Sequence, residues 1–265
     1  MDDRELLTGG LANAGAVVRR GDAVERPAPP HAGALHGFLT RLRAGGFAGA
    51  PVPLGPVADG RERLEFLPGE VAVPPYPAWA LGEEALVSVA RLLRRWHAAS
   101  ARTPFDPAAD WPTEFADPEG GPLLCHNDVC AENVVFRAGG AAALIDFDFA
   151  APGRPLWDVA LAARYWVPVL DPTTAAETDR ARLEVPHRLV LFADAYGLPP
   201  GDRLALPSVL EQATAVCRAF VARRVAAGDT AFTGYFEAYG GWVRWDRLQS
   251  WLAGQRPLLE RELRA

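Results

Sequence analysis

The stretch that most constrains this chain is PLLCHNDVCAENVVFRAGGAAALIDFDFA, residues 122–150. An apolar pair, Leu123 and Leu124, leads into His126-Asn127-Asp128, and a short connector reaches Asn133. Val134-Val135-Phe136 then has the β-branched and aromatic content of a strand. Arg137-Ala138-Gly139-Gly140 reads as a turn, and Ala143-Leu144-Ile145 as a second strand ending on Asp146-Phe147-Asp148. Two short strands joined by a Gly-containing turn predict a hairpin. A hairpin brings its ends together, so Asn133 at the entrance and Asp146 at the exit are expected side by side.

The spacing His126-x-Asp128-x-x-x-x-Asn133, followed by Asp146-Phe147, resembles the catalytic loop and metal-binding segment of kinases. Asn127 in place of the usual arginine, with Ile145-Asp146-Phe147-Asp148, makes it similar to the aminoglycoside phosphotransferase family, the small-molecule branch of the kinase-like fold. The resemblance implies an α+β, bilobal protein-kinase-like fold with a small β-rich N-lobe (1–67) and a large, mainly helical C-lobe (68–265). It implies that Asp128 is catalytic, accepting the proton of the acceptor hydroxyl. Asn133 and Asp146 would hold Mg²⁺ against the phosphates of ATP or GTP. The residue types agree, because magnesium is a hard cation that takes carboxylate and amide oxygens.

The same resemblance organises the rest of the chain. Gly9-Gly10 followed by Asn13 matches the loop that covers the nucleotide, and Arg26 stands where the family carries a phosphate-clamping Lys or Arg. Glu25, Arg19 and Arg20 are rivals for that position. All 27 basic residues are arginine, so no lysine can serve. Apolar positions Leu35, Phe38, Leu39 and Leu42 predict a helix from about Pro30 to Ala44. In kinases this helix supplies a glutamate that pairs with the clamp, but no acidic residue lies between Pro27 and Val57. The pair is absent, His36 replaces the glutamate, or the clamp is built differently. Glu65-Phe66-Leu67, just before Pro68-Gly69, matches the hinge whose backbone reads the adenine edge. Asp158 fits a family Asp that bonds the backbone of the catalytic loop, and Asp148 lies at the cleft edge, beside a second metal or the substrate.

Leu86, Val89, Leu93 and Trp96 predict a helix over Glu83–Ala99, with His97 a packed core histidine near its end. Asp106, Asp110, Glu114, Asp117 and Glu119 lie in a polar stretch expected to be a solvated loop. Beyond Asp158 the pattern predicts helices over about 174–196, 208–227 and 231 to the end, with Trp242, Trp245 and Trp251 as helix packing. Asp171 and Glu177 are weak candidates for substrate contacts.

Composition narrows the function classes. A net charge of −6 argues against nucleic-acid binding and is compatible with a cationic acceptor. No apolar run approaches the ~20 residues of a membrane span. Three cysteines with no zinc-knuckle spacing fit reduced thiols in the cytoplasm. The expected activity is transfer of a γ-phosphoryl group to a small-molecule hydroxyl, on an antibiotic of aminoglycoside type or on an amino-alcohol or sugar metabolite, with no obligate protein partner. Two other classes remain open: an inert nucleotide-binding scaffold, and a metal-dependent hydrolase ligated by His126, Asp128, Asp146 and Asp148.

Overall fold

The structure, a computed structural model, describes residues 4–7 and 15–264. Its first layer is an antiparallel sheet in the order β1 (Arg4–Leu6), β2 (Val18–Arg20), β3 (Ala23–Pro27) and β4 (Arg61–Glu65). Gly21, at φ 58, makes the tight turn between β2 and β3. The β3–β4 register sets Arg26 directly opposite Glu62, which places the two side chains on one face. Between these strands runs α1 (Ala32–Ala44), whose stripe of Leu35, Phe38, Leu39 and Leu42 is buried. Phe38 meets the ring of Trp96 edge-on at 5.9 Å. Trp96 belongs to α2 (Glu83–Ser100), which has the predicted amphipathic face.

Next come β5 (Leu123–Cys125), the hairpin of β6 (Val134–Arg137) and β7 (Gly140–Leu144), and β8 (Ala151–Gly153), which returns to pair with β5. The hairpin closes as expected, since Ile145 N–H donates to the Asn133 carbonyl at 3.0 Å. Gly121 is required before β5, because a Cβ there would meet the Gly153 carbonyl carbon at 2.0 Å. The chain continues in α3 (Pro155–Trp166), α4 (Pro172–Glu177), α5 (Val185–Tyr196), α6 (Pro200–Ala226), α7 (Thr230–Ala238) and α8 (Gly241–Arg264). One apolar core extends from Leu35 of α1 to Leu263 of α8.

The helical part differs from expectation in two places. The helix expected over 174–196 is two, parted where Asp179 turns to φ 56, and Pro186 stands in the first turn of α5. Helix α6 begins at Pro200, earlier than predicted, and passes through Pro207. Among the described residues it alone is long and apolar enough, by length and composition, to cross a membrane. Here Leu206, Leu210, Ala213 and Phe220 bury one side of it, and it packs on α3 and α8.

Candidate active site

The loop after β5 is held by backbone bonds that fix its histidine. His126 Nδ1 accepts the Asp128 N–H at 3.2 Å, so the ring proton sits on Nε2, which donates to the Ile145 carbonyl at 3.0 Å. Burial pushes the His126 pKa down, and the ring is neutral. With both nitrogens bound to backbone, His126 has none to offer as a metal ligand, which removes it from the hydrolase set. Asn127 turns the chain at φ 64, a left-handed conformation that Asn tolerates better than most residues.

Asp158, in the first turn of α3, accepts the N–H of Asn127 on one oxygen at 2.9 Å and of His126 on the other at 2.8 Å. His97 of α2 lies 3.0 Å from the second oxygen and contacts the Tyr196 hydroxyl with its other nitrogen at 2.7 Å. Burial opposes ionisation of Asp158, yet these donors outweigh it and hold its pKa below the ordinary value. Ser100 secures the strand before the loop, donating to the Leu124 carbonyl and accepting its N–H, each at 2.9 Å. His97 is thus buried as expected, and it also braces the loop.

Asp128 projects from this frame. Asn133 Nδ2 donates to its Oδ2 at 2.9 Å and to its carbonyl at 3.0 Å, while the Tyr165 hydroxyl donates to Oδ1 at 3.3 Å. Burial, and then the negative charge of Asp146, push the Asp128 pKa up to about 7. Asp146 sits at φ 62 at the hairpin exit, one residue beyond the Ile145–Asn133 bond. The structure therefore brings Asp128, Asn133 and Asp146 together.

Arg26 completes the cluster. Its Nε donates to Glu62 at 2.7 Å, one terminal nitrogen to Asp146 at 2.7 Å and the other to Asp148. Glu62 is fully buried, and its second oxygen meets His36 of α1 at 2.7 Å. Burial works against the Glu62 charge, but His36 and Arg26 more than offset it and lower its pKa. The carboxylate missing from α1 is therefore supplied by β4, and His36 holds it rather than replacing it. The choice of arginine follows from counting donors. A guanidinium carries five N–H groups, three of which serve these carboxylates, whereas an ammonium carries three in all. The rivals are engaged elsewhere: Arg19 stacks on Phe66 at 3.8 Å and pairs with Glu5, and Arg20 pairs with Glu25.

At the expected hinge, Leu67 packs with Val135, Ala143 and Ile145 in a small apolar cluster beside Asp146. The Phe66 N–H bonds the Asp22 carbonyl, and the Glu65 side chain pairs with Arg43. Gly69, at φ 151, lets the chain lie close against β6, because a Cβ there would come within 2.6 Å of the Phe136 carbonyl oxygen. Gly9, Gly10 and Asn13 lie outside the described residues. The oxygens of Asn133, Asp146 and Asp148 form a hard-donor set that fits Mg²⁺ and lacks the thiolate or imidazole of a zinc site.

A cavity of about 600 Å³ opens next to Asp128, bounded by Ala131 of the catalytic loop, Tyr165 of α3 and the α7–α8 corner. Trp245 lines it and, like Trp251, also packs against the core as expected, while Trp242 lies against Phe236. Asp117, expected in a solvated loop, is buried in a bidentate pair with Arg154 at 2.7 and 2.9 Å. Asp171 caps α4 through Thr174. Sequence reading missed Glu62 and Tyr165. Glu62 lies 36 residues from Arg26 and is joined to it by strand register alone.

Comparison with known proteins agrees with this geometry. Residues 105–192 match the model of the "Phosphotransferase enzyme family". A trifolitoxin immunity protein of Rhizobium leguminosarum bv. trifolii is 35% identical over 210 residues, covering 77% of each chain. A choline/ethanolamine kinase family protein from Mesorhizobium loti superposes with a TM-score of 0.64 at 16% identity, covering 98% of this chain and 92% of that one. An aminoglycoside phosphotransferase of Streptomyces rimosus, solved with ADP and streptomycin, superposes at 0.50 with 18% identity, covering 75% and 87%. These structures share the kinase-like fold. A catalytic loop, hairpin and carboxylate-bound arginine on this fold, with a relative at that level of identity, place the chain in the phosphotransferase enzyme family.

Proposed function

We propose that the chain transfers the γ-phosphoryl group of ATP or GTP to a hydroxyl of a small molecule in the cytoplasm. The observation that carries this reading is the convergence of Asp128, Asn133 and Asp146 beside a cavity of substrate size. Family membership supports the reaction class, and the ADP-bound relative supports a nucleotide co-substrate. In this reading residues 1–67 bind the nucleotide and 68–265 carry the catalytic loop and the acceptor.

Asp128 orients the acceptor hydroxyl and takes its proton as the bond to phosphorus forms. Asn133 and Tyr165 fix its two oxygens, which leaves little freedom in where the hydroxyl points. Asn133 and Asp146 would hold Mg²⁺, which would neutralise phosphate charge, and Asp148 would assist from the cleft edge. Arg26 keeps two N–H groups beyond those given to carboxylates, and these face the phosphates. Gly9, Gly10 and Asn13 cover the phosphates, while those backbone groups of Glu65, Phe66 and Leu67 that are not bonded to Val52 and Asp22 meet the base. Asp158 acts through the loop backbone.

An inert scaffold is disfavoured by Glu62, which supplies the carboxylate whose absence motivated it. The test is ADP release from ATP across hydroxylated compounds, comparing the native chain with Asp128→Asn. Turnover that depends on Asp128 and Mg²⁺ is expected. Nucleotide binding with no turnover for any acceptor would revive the scaffold.

A further inference from the structure

We infer that the acceptor is a hydroxylated aromatic molecule bearing an acidic group, and not a polycationic or quaternary-ammonium compound. This rests on the reading of the cavity beside Asp128 as the acceptor site, and it names the class of molecule that site would take.

The chain as a whole is acidic, but the cavity is not. Its charged lining residues are Arg164, Arg180, Arg244 and Asp179. Two carboxylates lie just outside the lining, Asp128 accepting from the Tyr165 hydroxyl and Glu132 from the Tyr76 hydroxyl, bonds that orient them without neutralising them; the lining itself holds three arginines to one aspartate. Among the described residues none of the three arginines forms an ion pair, and Arg164 donates instead to the Cys217 sulfur at 2.6 Å. The lining therefore carries an excess of positive charge, which disfavours a polyamine and attracts an anion.

Aromatic walls would ordinarily invite an ammonium ion. Here the protein's own guanidinium groups are over those rings. Arg180 lies 4.8 Å from the centre of Tyr76 and Arg244 5.4 Å from that of Tyr239. Arg164 lies between Tyr165 and Trp245, at 5.8 and 5.9 Å. A second cation at those faces would meet like charge. The remaining ring edges and apolar wall suit a planar, apolar body, and an unpaired guanidinium suits its carboxylate. The cavity volume matches a ligand of drug or short-peptide size.

The test is calorimetric titration of the full chain with N-benzoyl-serine, its uncharged amide, kanamycin and choline, followed by ADP release with each. The acid is expected to bind at least about tenfold tighter than the other three, the scale of one charge-assisted bond. Replacing Arg180 and Arg244 together by Ser should bring the acid to the level of its amide. The Arg180→Lys, Arg244→Lys pair should keep the preference, which separates charge from misfolding. Tighter binding of kanamycin or choline, equal binding of acid and amide, or no binding of any at millimolar concentration would each overturn the inference. Arginine-dependent binding of the acid without ADP release would support the binding preference and count against reading the cavity as the acceptor site. ADP release with kanamycin alone would do the reverse.

Discussion

The two walls of the site are built on opposite principles. On the phosphate side, Asp128, Asn133, Arg26, Glu62 and Asp158 each make at least two hydrogen bonds, and most of this wall is buried. On the acceptor side, Tyr235 and Tyr239 are 48% and 43% exposed, stacked on each other at 4.3 Å, and α7 has no buried residue. A polar network in a low-dielectric setting permits one arrangement of its members. An aromatic surface permits many bodies of similar width. The contrast separates a reaction fixed by geometry from a specificity that can vary by substitution on α7 and α8.

Mutations should break or sharpen this contrast in a graded way. Asp128→Asn removes the base without changing shape, so turnover should fall by roughly 10²–10⁴ while the melting temperature stays near that of the native chain. Asp158→Ala leaves two loop N–H groups and His97 buried without their partner; denaturant unfolding should show a loss of about 3–5 kcal/mol. For Arg26→Lys, three carboxylates would compete for three donors with nothing left for phosphate. Nucleotide turnover should drop by roughly 10²-fold.

Glu62 gives the contrast a pH signature. Its folded pKa is depressed, so its stabilisation is complete above the ordinary carboxylate pKa and fades as the pH falls through the lowered value. Melting temperatures should decline for the native chain once the pH falls below the ordinary carboxylate pKa, and Glu62→Gln should flatten that decline from a lower starting point. The smallest effect belongs to the other wall. Tyr239→Ala should cost less than about 1 kcal/mol of stability because its ring is half exposed, yet it should shift KM for the acceptor. A large loss of stability there would mean that the two walls are not as different as drawn.

What could be read from sequence follows the range of each interaction. The loop and hairpin were legible because a turn and two short strands fix Asn133 beside Asp146 within a few residues. Asp158 was found through family spacing, and its bonds to the His126 and Asn127 N–H groups are the loop contacts that spacing implied. Glu62 was not legible: its partnership with Arg26 depends on the β3–β4 register, and α1 lies between them in sequence. The break between α4 and α5 had a readable signal in Pro186, since proline belongs in a first turn. Trp245 has its expected packing, but its place on the cavity wall was not legible, because helical spacing tells which residues share a face, not whether that face meets a helix, a cavity or both.

One guanidinium drawing carboxylates from β4 and from the segment after β7 makes the boundary between sheet and hairpin a seam of charge. Greasy seams part with heat and denaturant. This one is sheltered from dissolved salt by its burial, yet each of its anions can be silenced by a proton. Acid is thus the reagent that should unfasten the cleft first, while the apolar interior beneath it still holds.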